Sequence, residues 1–536
     1  MNTDNTSDQT LLDAVVVGAG FAGMAMIRKL LSLNFTVRGF ERGSDVGGTW
    51  YWNRYPGARC DAPSMQYSYQ FSEALQQEWR WTETYAGQPE ILRYAQHVAD
   101  RFDLRRHISF NTAVTSAYYS ESDKLWRLKT DGGESLQARY CIMATGNLSS
   151  PLKPAIPGLD TFAGECYYTA DWPHEAVDFS NKRVGVIGTG STGIQAIPVI
   201  AEQAGHLYVL QRTAQYTIPA RNAPLDPDYE AQIKADYAGF RARNYTRPLA
   251  MDIELAPGTP RTFEVDPDER ERRYEQSWQT GGMAPTFTFR DTATTLEGNE
   301  ALSKFLRSKV DELVNDPQTA RLLKPAHIFG CKRPCLDTGF YDTFNRDNVS
   351  LVDCSAGVEA ITANGVRVSG SEIPLDVLVL ATGFDAITGT LAHIDIRGRR
   401  GEILKDKWVD GPRTYLGLQT AGFPNLFTIS GPGSPSVLTN MIPTIEQHVN
   451  WIGQCLDDLR ARDAATIEAK ETAEEAWVER VRMLAERTLW GACDNWYVGA
   501  NVPGKPRVFA IYVDWVSYRE ACEDVVADNY RGFAIA

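Results

Sequence analysis

Two segments of the chain, GAGFAG (18–23) and GTGSTG (188–193), have the glycine spacing that cradles the pyrophosphate of a dinucleotide. The first glycine of such a fingerprint permits a tight turn, the second lets the backbone approach the phosphates, and the third lets helix and strand pack closely. The N-terminus of the following helix then holds the anion. The cofactor-binding residues predicted from these two segments are Gly18, Gly20, Gly23, Gly188, Gly190, Ser191, Thr192 and Gly193.

The residues around each fingerprint predict the strand and helix that such a motif needs. Short apolar strands are predicted at 14–17, 36–41, 183–188 and 206–212. One helix is predicted from about Met24 to Leu33, and the second helix ends at about Ala204. A single fingerprint is weak evidence, but two in this context strongly indicate two dinucleotide sites.

The two sites differ in the residue that ends the second strand of each unit. Glu41 ends the first unit, and its carboxylate is suited to accept hydrogen bonds from a ribose 2′-hydroxyl, which favours FAD. The second unit ends in Gln211-Arg212-Thr213, where a cation replaces the carboxylate and suits a 2′-phosphate. We therefore predict FAD at the first site and NADPH, in preference to NADH, at the second.

Composition narrows the classes of function. The 536 residues are enough for two or three globular domains. A net charge of −14 repels phosphate backbones, so nucleic acid is not an expected partner. The first ten residues, MNTDNTSDQT, contain no Lys or Arg and predict no signal or transit peptide. The uncharged apolar run from Ala14 to Ile27 is too short to span a membrane.

The nine cysteines are irregularly spaced, and we interpret them as reduced thiols of a cytoplasmic protein. Cys331 and Cys335 are separated by three residues, not by the two of a redox CxxC motif. This spacing disfavours a flavin-disulfide reductase. The seven histidines are scattered without the spacing of metal ligands, so no metal site is predicted.

Two longer motifs indicate what the reduced flavin would do. FAGECYYTADWP (162–173) and GGTWYWNRYPGARCD (47–61) resemble the motifs of class B flavin monooxygenases, and the ending Trp172-Pro173 resembles the Baeyer–Villiger branch. The chain is most similar to the phenylacetone, steroid and cyclohexanone monooxygenase type. Further similar stretches are FGCKR (329–333), NRDNV (345–349), ATGFDA (381–386), GPRTYLG (411–417), GPGSPS (431–436) and NWYVGANVPGKPRVF (495–509).

The resemblance implies a reaction and its catalytic residues. A ketone, O2 and NADPH give an ester or lactone through a C4a-peroxyflavin, and negative charge on oxygen accompanies each stage after flavin reduction. A fixed cation is therefore what the transition state needs. Arg333 matches the catalytic arginine of the family, and Asp61, which closes its motif beside the cofactor, matches the carboxylate that holds this arginine.

The resemblance also implies cofactor and substrate ligands. Lys332 resembles a 2′-phosphate ligand that acts with Arg212 and Thr213, and Trp50 belongs to the motif at 47–61. Trp496 lies in a stretch that closes over NADP in the family, although a packed core tryptophan is an equal alternative. The residues matching a substrate loop are Ser436, Val437, Leu438 and Met441, with Thr439 and Asn440 between them.

The segment 162–173 has neither a helical nor a strand period and is predicted to be a loop between the two nucleotide domains. In the family, this linker is thought to transmit the movement of the domains. Tyr168 occupies the position where the family pattern has His. We favour Tyr168 as a packing substitute, and the alternative is that the missing His weakens coupling between NADPH oxidation and oxygenation.

The predicted fold is α/β, with two Rossmann-like domains and a helical insertion. Leu302, Phe305 and Leu306 begin an apolar helix face that stops at Asn315-Asp316-Pro317. The strands 142–143 and 377–380 are expected to close the two sheets. The predicted division of the chain is 1–148 (FAD, first part), 149–219 (NADP, first part), 220–329 (helical insertion), 330–383 (NADP, second part) and 384–536 (FAD, second part).

The sequence therefore predicts an FAD- and NADPH-dependent Baeyer–Villiger monooxygenase that acts on aryl, cyclic or steroid-like ketones with O2. It is expected to be a cytoplasmic monomer without membrane insertion. One alternative is an N- or S-oxygenating flavin monooxygenase, which product analysis with an amine distinguishes. Another is a non-catalytic nucleotide-binding sensor, which would not consume NADPH when a ketone is added.

Overall fold

A computed structural model of the protein describes residues 11–253 and 258–536. The prediction that the first ten residues carry no targeting peptide lies outside the described residues. Within the part of the chain that is described, no helix is both long enough and apolar enough to cross a membrane.

The strands are short and are numbered here in chain order. They are β1 (Leu11–Val17), β2 (Val37–Phe40), β3 (Ile108–Ser109), β4 (Val114–Ser120), β5 (Leu125–Thr130), β6 (Ser135–Met143), β7 (Glu165–Tyr168), β8 (Arg183–Ile187), β9 (His206–Gln211), β10 (Thr217–Pro219), β11 (Cys335–Asp337), β12 (Val349–Asp353), β13 (Ala360–Thr362), β14 (Gly365–Val368), β15 (Ser371–Pro374), β16 (Val377–Leu380), β17 (Asp395–Arg397), β18 (Leu426–Thr428), β19 (Ile467–Ala469) and β20 (Phe533–Ile535).

The α-helices range from single turns to a helix of 21 residues. They are α1 (Phe21–Ser32), α2 (Thr49–Trp52), α3 (Glu73–Glu78), α4 (Gln88–Arg101), α5 (Ser191–Gln203), α6 (Pro227–Ala235), α7 (Tyr237–Tyr245), α8 (Pro267–Thr280), α9 (Leu296–Leu313), α10 (Pro317–Leu323), α11 (Phe340–Thr343), α12 (Gly389–Ala392), α13 (Leu404–Lys407), α14 (Met441–Ala461), α15 (Glu471–Ala485) and α16 (Trp515–Ala527).

The first fingerprint lies in a mixed sheet with the strand order β17-β4-β5-β6-β1-β2-β3, and β18 pairs with β6 beside it. Strand β1 runs parallel to both β2 and β6. Its residues Val15 and Val16 are completely buried, because helices and strands cover both faces of this part of the sheet. Helix α14 packs against α1, so the last third of the chain adds both a strand and a helix to this unit.

The second fingerprint lies in a five-stranded sheet with the order β12-β9-β8-β16-β7, in which every pair is parallel. These two sheets confirm the predicted α/β class with two Rossmann-like units. The strands expected to close the two sheets, 142–143 and 377–380, belong to β6 and β16. Strand β6 pairs directly with β1, and β16 pairs directly with β8, so both lie inside their sheets and not at the outer edge.

The prediction that 162–173 is entirely a loop was wrong. Residues Glu165–Tyr168 form β7, which adds in parallel to the edge of the second sheet beside β16. Four residues are too few to show a period, and the neighbouring strand supplies the hydrogen bonds. The aromatic residues then anchor the segment: the ring of Trp172 lies 5.4 Å from that of Tyr167 and 6.3 Å from that of Phe179.

Tyr168 ends β7, opposite Leu380 of β16. Its ring packs with an apolar cluster of the second sheet, and the ammonium of Lys153 lies 5.8 Å from the ring centre. These contacts are ones that a large ring makes and do not need a charged imidazole. Whether the residue alters coupling stays a prediction.

The segment between β10 and β11 contains helices α6 to α10. The predicted helix face lies on α9, which ends at Leu313, before the Asn315-Asp316-Pro317 stop. Asp316 caps the next helix, because its side chain accepts a hydrogen bond from the Thr319 amide at 2.8 Å. The face of α9 packs through Phe305 against Tyr274 of α8, with the ring centres 5.2 Å apart.

The third glycine of each fingerprint is required by packing. A Cβ added at Gly23 would lie 1.9 Å from the carbonyl oxygen of Gly18, and one at Gly193 would lie 2.1 Å from that of Gly188. Gly190 is different, because a Cβ there would meet nothing within 4 Å, and its φ of −80° is open to any residue. Within the second fingerprint, Gly193 is therefore required by the packing of the fold, whereas the absence of a side chain at Gly190 leaves space for a ligand.

We expect Gly193→Ala to lower the free energy of unfolding by about 2–3 kcal/mol, because helix α5 must move away from β8. Gly190→Ala serves as the matched control and should change it by less than about 1 kcal/mol. Urea unfolding of the two variants measures this difference. Equal stabilities would contradict the close packing described here.

Candidate active site

A single cavity of about 1490 Å³ is lined by residues of both fingerprints. It lies at the carboxyl ends of the parallel strands, since its wall includes Gly18 after β1 and Gly188 after β8. Ligands bind at this edge in open α/β sheets. The volume exceeds the 300–1,000 Å³ or so of a typical small-molecule pocket, so it has room for more than one ligand.

The first fingerprint forms a cradle at one end of this cavity. Gly18 has a φ of +103°, and Gly20 precedes α1 without a side-chain cap, so backbone N–H groups of the first turn remain for a ligand. Gly18 and Gly20 line the cavity, whereas Gly23 lies behind it and serves the packing of α1 on β1. This arrangement fits the pyrophosphate of FAD.

Glu41 lies beside this cradle and is 6% exposed. One carboxylate oxygen accepts a hydrogen bond from the Ala19 amide and the other from the Gly43 amide, both at 2.9 Å. The side chain therefore fixes the turn of the fingerprint to the end of β2. It also lines the cavity, and the remaining lone pairs of its oxygens can accept the ribose hydroxyls of the sequence prediction.

The second fingerprint repeats this arrangement. Gly188 has a φ of +111°, and helix α5 begins at Ser191. Gly188, Gly190, Ser191 and Thr192 line the cavity, whereas Gly193 does not. The hydroxyl of Thr189 donates to the carbonyl of Thr213 at 3.1 Å, which holds the end of β9 next to the cradle.

Arg212 and Lys332 lie together at the second end of the cavity. Within the ranges that the structure describes, neither side chain forms an ion pair or a side-chain hydrogen bond. Burial, together with the charge of Arg212, lowers the pKa of Lys332 from its ordinary value, although Asp494 opposes this. Two neighbouring cations without a partner, facing a cavity beside a dinucleotide cradle, fit a 2′-phosphate.

The structure brings Asp61 and Arg333 together as an ion pair. The Arg333 Nε and Nη2 lie 2.8 Å and 2.7 Å from the same Asp61 oxygen. Burial acts to lower the pKa of Arg333, but Asp61 and Tyr497 outweigh it and raise the pKa above its ordinary value. The guanidinium therefore stays charged at the wall of the cavity at any relevant pH.

The predicted substrate loop also holds this arginine. Nη1 of Arg333 donates to the carbonyl oxygen of Val437 at 2.6 Å. Val437, Leu438 and Met441 line the cavity, but Ser436 does not. Ser436 has a φ of +44°, and its hydroxyl accepts a hydrogen bond from Asn147 at 2.6 Å, so it holds the loop and does not face a ligand.

The two predicted tryptophans both line the cavity. Trp50 is buried, and its indole N–H donates to the Tyr67 hydroxyl at 3.1 Å. Trp496 is half-buried, and its ring is tilted against that of Tyr497, with the ring centres 4.3 Å apart. It therefore faces the cavity and is not enclosed in the core.

Sequence reasoning missed several residues of the cavity wall. The insertion contributes Leu249, Met251 and Met283, and α14 contributes Ile445. No recognisable motif surrounds these insertion residues, so their place in the cavity wall becomes visible only in the three-dimensional structure. Tyr497, which approaches Arg333, was also missed, although its neighbour Trp496 was singled out.

The prediction that all nine cysteines are reduced was wrong for two of them. Cys331 and Cys493 form a disulfide, and the other seven cysteines are free. The bridge joins the loop of Lys332 and Arg333 to the loop of Trp496. The two cysteines are 162 residues apart in sequence, so spacing did not reveal their contact. The side-chain amide of Asn495 reinforces the connection by donating to the Cys331 carbonyl at 2.6 Å.

The sequence is similar to a known protein family and to named enzymes. A family model described as pyridine nucleotide-disulphide oxidoreductase matches residues 15–246. The chain is 41% identical to a "Baeyer-Villiger monooxygenase" of Pseudooceanicola batsensis, over 99% of this chain and 98% of the relative. It is 39% identical to "Phenazine N-monooxygenase PhzNO1" of Lysobacter antibioticus, over 99% of this chain and 98% of that protein.

The fold is also similar to that of a solved monooxygenase structure. The structure titled "Oxidized steroid monooxygenase bound to NADP" matches with a TM-score of 0.94 and 48% sequence identity, covering 98% of this chain and 99% of that one. The likeness therefore extends over both sheets and the insertion between them.

The unpaired cations lead to a prediction about coenzyme choice. Wild-type protein should favour NADPH over NADH by roughly 2–4 kcal/mol, as two charge-assisted contacts to one phosphate would. The double variant Arg212→Ala/Lys332→Ala should lose this preference through a higher KM for NADPH, with little change for NADH. Steady-state oxidation of the two coenzymes measures it.

Lys182→Ala is the matched control, because Lys182 belongs to the same unit but is paired with Glu165 at 2.9 Å. It should leave the preference unchanged. Equal use of both coenzymes by the wild-type protein would show that the two cations have another purpose.

Proposed function

Because the chain belongs to the Baeyer–Villiger monooxygenases, we propose that it uses FAD, NADPH and O2 to convert ketones to esters or lactones. The observation that carries this proposal is the fixed cation at the cavity wall. Arg333 is held by Asp61 and by the Val437 carbonyl at the cavity that both dinucleotide cradles share.

The residues present fit both cofactors. FAD would lie on the first cradle, with Glu41 at its ribose and Trp50 nearby, and NADP on the second, with Arg212, Thr213 and Lys332 at its 2′-phosphate. When bound, NADPH supplies the hydride that reduces FAD, and reduced FAD activates O2 for insertion of one oxygen atom beside the ketone carbonyl.

Arg333 provides what oxygen insertion requires of the protein. Negative charge develops on oxygen as the ketone is attacked, and a preorganised cation stabilises this charge without reorganising. A guanidinium has five N–H donors, of which two are directed to Asp61 and one to Val437. These contacts fix the plane of the group and still leave an N–H donor for the reacting oxygen. Asp61 also offsets the cost of burying the charge.

The cavity wall favours a ketone of moderate to large size. Apolar side chains from three parts of the chain line the cavity together with Arg333: Leu249, Met251, Leu438, Met441 and Ile445. A carbonyl group that accepts a hydrogen bond from Arg333 would leave its hydrocarbon part against these residues. Aryl, cyclic and steroid-like ketones match this description, and an apolar wall also keeps water from the reacting atoms.

The similarity to a phenazine N-monooxygenase supports a second candidate function, oxygenation at an aromatic nitrogen. The same cradles and cation would serve it, because charge again develops on oxygen. Incubation with equimolar amounts of a ketone and an aromatic N-heterocycle separates the two functions. Ester as the main product supports the first candidate, and N-oxide as the main product supports the second.

The proposal includes a division of the chain and a state of assembly. We assign 1–148 and 384–536 to FAD, 149–219 and 330–383 to NADP, and 220–329 to the insertion that reaches the substrate. A monomer is sufficient, because one chain supplies every residue named above. We place it in the cytoplasm, which supplies NADPH.

Product analysis with a panel of aryl, cyclic and steroidal ketones tests the function. Wild-type protein should form one ester or lactone per NADPH consumed. In the Arg333→Ala variant, NADPH should still reduce the bound FAD, because the flavin cradle does not include this side chain. The rate of ester formation should fall on the order of 10³-fold or more. NADPH consumption, hydrogen peroxide and ester are measured together.

Arg183→Ala is a suitable control, since Arg183 is paired with Asp376 at an exposed position of the second sheet. Full ester yield from Arg333→Ala would remove this residue from the mechanism. The absence of ester from the wild-type protein with every ketone would refute the proposed function.

A further inference from the structure

Tyr497 lies where the cavity meets the catalytic arginine. It belongs to the 3-10 turn Trp496–Val498, is 2% exposed, and is among the residues that line the cavity. Its ring packs in a small apolar cluster with Leu438 of the substrate loop and Ile387. A buried tyrosine usually places its hydroxyl against a polar partner.

The polar group beside this phenol is the guanidinium of Arg333, because both residues line the same cavity and each shifts the pKa of the other. The guanidinium is itself held by Asp61 and the Val437 carbonyl. Because a guanidinium only donates, the phenol oxygen must be the acceptor in this contact. The hydroxyl proton of Tyr497 is therefore free to point elsewhere. Among the residues that the structure describes, none accepts a hydrogen bond from this hydroxyl.

We propose that the Tyr497 hydroxyl is a second hydrogen-bond donor beside Arg333, directed at the oxygen that gains negative charge during the reaction. The proposal rests on the function proposed above and adds a residue to it. No bond to Tyr497 forms or breaks: the phenol keeps its proton throughout and acts through its O–H dipole. A neutral donor and a fixed cation together would define where the oxygen lies.

The ionisation of the phenol agrees with this role. Burial raises the pKa of Tyr497 to about 12, although the positive charge of Arg333 opposes the rise. The hydroxyl therefore keeps its proton over the whole range in which the protein is used. Asp61 and Cys335 also lie near enough to favour the neutral phenol.

The turn that carries Tyr497 is tied to the loop that carries Arg333. The Cys331–Cys493 disulfide connects the two loops. The Asn495 side chain donates to the Cys331 carbonyl at 2.6 Å and accepts from the Val498 amide at 3.0 Å. These contacts fix both donors relative to each other, which an oxyanion site requires.

The competing explanation is that Tyr497 only packs between Leu438 and Trp496. Phenylalanine would then serve equally well, because it keeps the ring and removes the hydroxyl alone. Tyr497→Phe therefore separates the two explanations. Tyr530→Phe is the matched control: it removes a hydroxyl that donates to Asp458 at 2.6 Å, on a buried residue that does not line the cavity.

The first measurement is ester formation by the FAD-loaded protein. For Tyr497→Phe we expect kcat/KM for the ketone to fall about 10- to 100-fold, with more NADPH lost to hydrogen peroxide. The KM for NADPH and the rate of flavin reduction should be unchanged. Tyr530→Phe should match the wild type in all four quantities. Wild-type ester yield from Tyr497→Phe would overturn the proposal.

The second measurement needs no turnover. Benzoate presents an oxygen anion on an aryl group, and its binding to the oxidised holoenzyme is followed through the visible spectrum of the flavin. We expect its Kd to rise about 10-fold in Tyr497→Phe and to stay unchanged in Tyr530→Phe. Equal affinity in all three proteins, or no binding by the wild type, would overturn the proposal even if ester forms. Failure of the proposed function is distinct, since it appears as no ester from the wild type.

Discussion

The ion pair between Asp61 and Arg333 depends on three separate parts of the chain being folded together. Asp61 follows the first fingerprint, whereas Arg333 follows the insertion, 272 residues further along the chain. The third partner, the carbonyl of Val437, comes from the segment that returns to the first sheet. The guanidinium can occupy its position only when both sheets and the returning segment are in place. The position of the Arg333 guanidinium is thus determined by the folding of all three parts of the chain.

The cations of the cavity divide into two kinds, and the difference explains their roles. Arg333 has a carboxylate partner, so its charge is stabilised before any ligand arrives and its position is fixed. Arg212 and Lys332 have no such partner within the described ranges, and burial together with the charge of Arg212 lowers the pKa of Lys332, so a bound dianion would stabilise the pair. In a protein with a net charge of −14, these three cations all line the same cavity.

Local rules predicted the two cradles well, because three glycines at fixed spacing determine a turn and the start of a helix. Gly18 and Gly188 have the positive φ values that such a turn requires. Arg333 and Asp61 could be predicted only from the motifs around them, since nothing in their spacing brings them together. The Cys331–Cys493 disulfide, the strand β7 and the insertion residues Leu249 and Met251 could not be predicted, because each depends on a partner distant in sequence. Ser436 was assigned to the substrate but holds its own loop through Asn147.

The most direct test of this account is the coupling of NADPH oxidation to ester formation in Asp61→Asn. The variant keeps Arg333 and the shape of the side chain but removes the negative charge that orients the guanidinium. Asp376→Asn, which breaks the exposed pair with Arg183, is the control. The account predicts that Asp61→Asn is reduced by NADPH at the normal rate yet forms ester on the order of 10²-fold more slowly, with hydrogen peroxide as the main product. Ester formation at the wild-type rate by Asp61→Asn would contradict the central claim that a held cation makes this cavity a site of oxygen insertion.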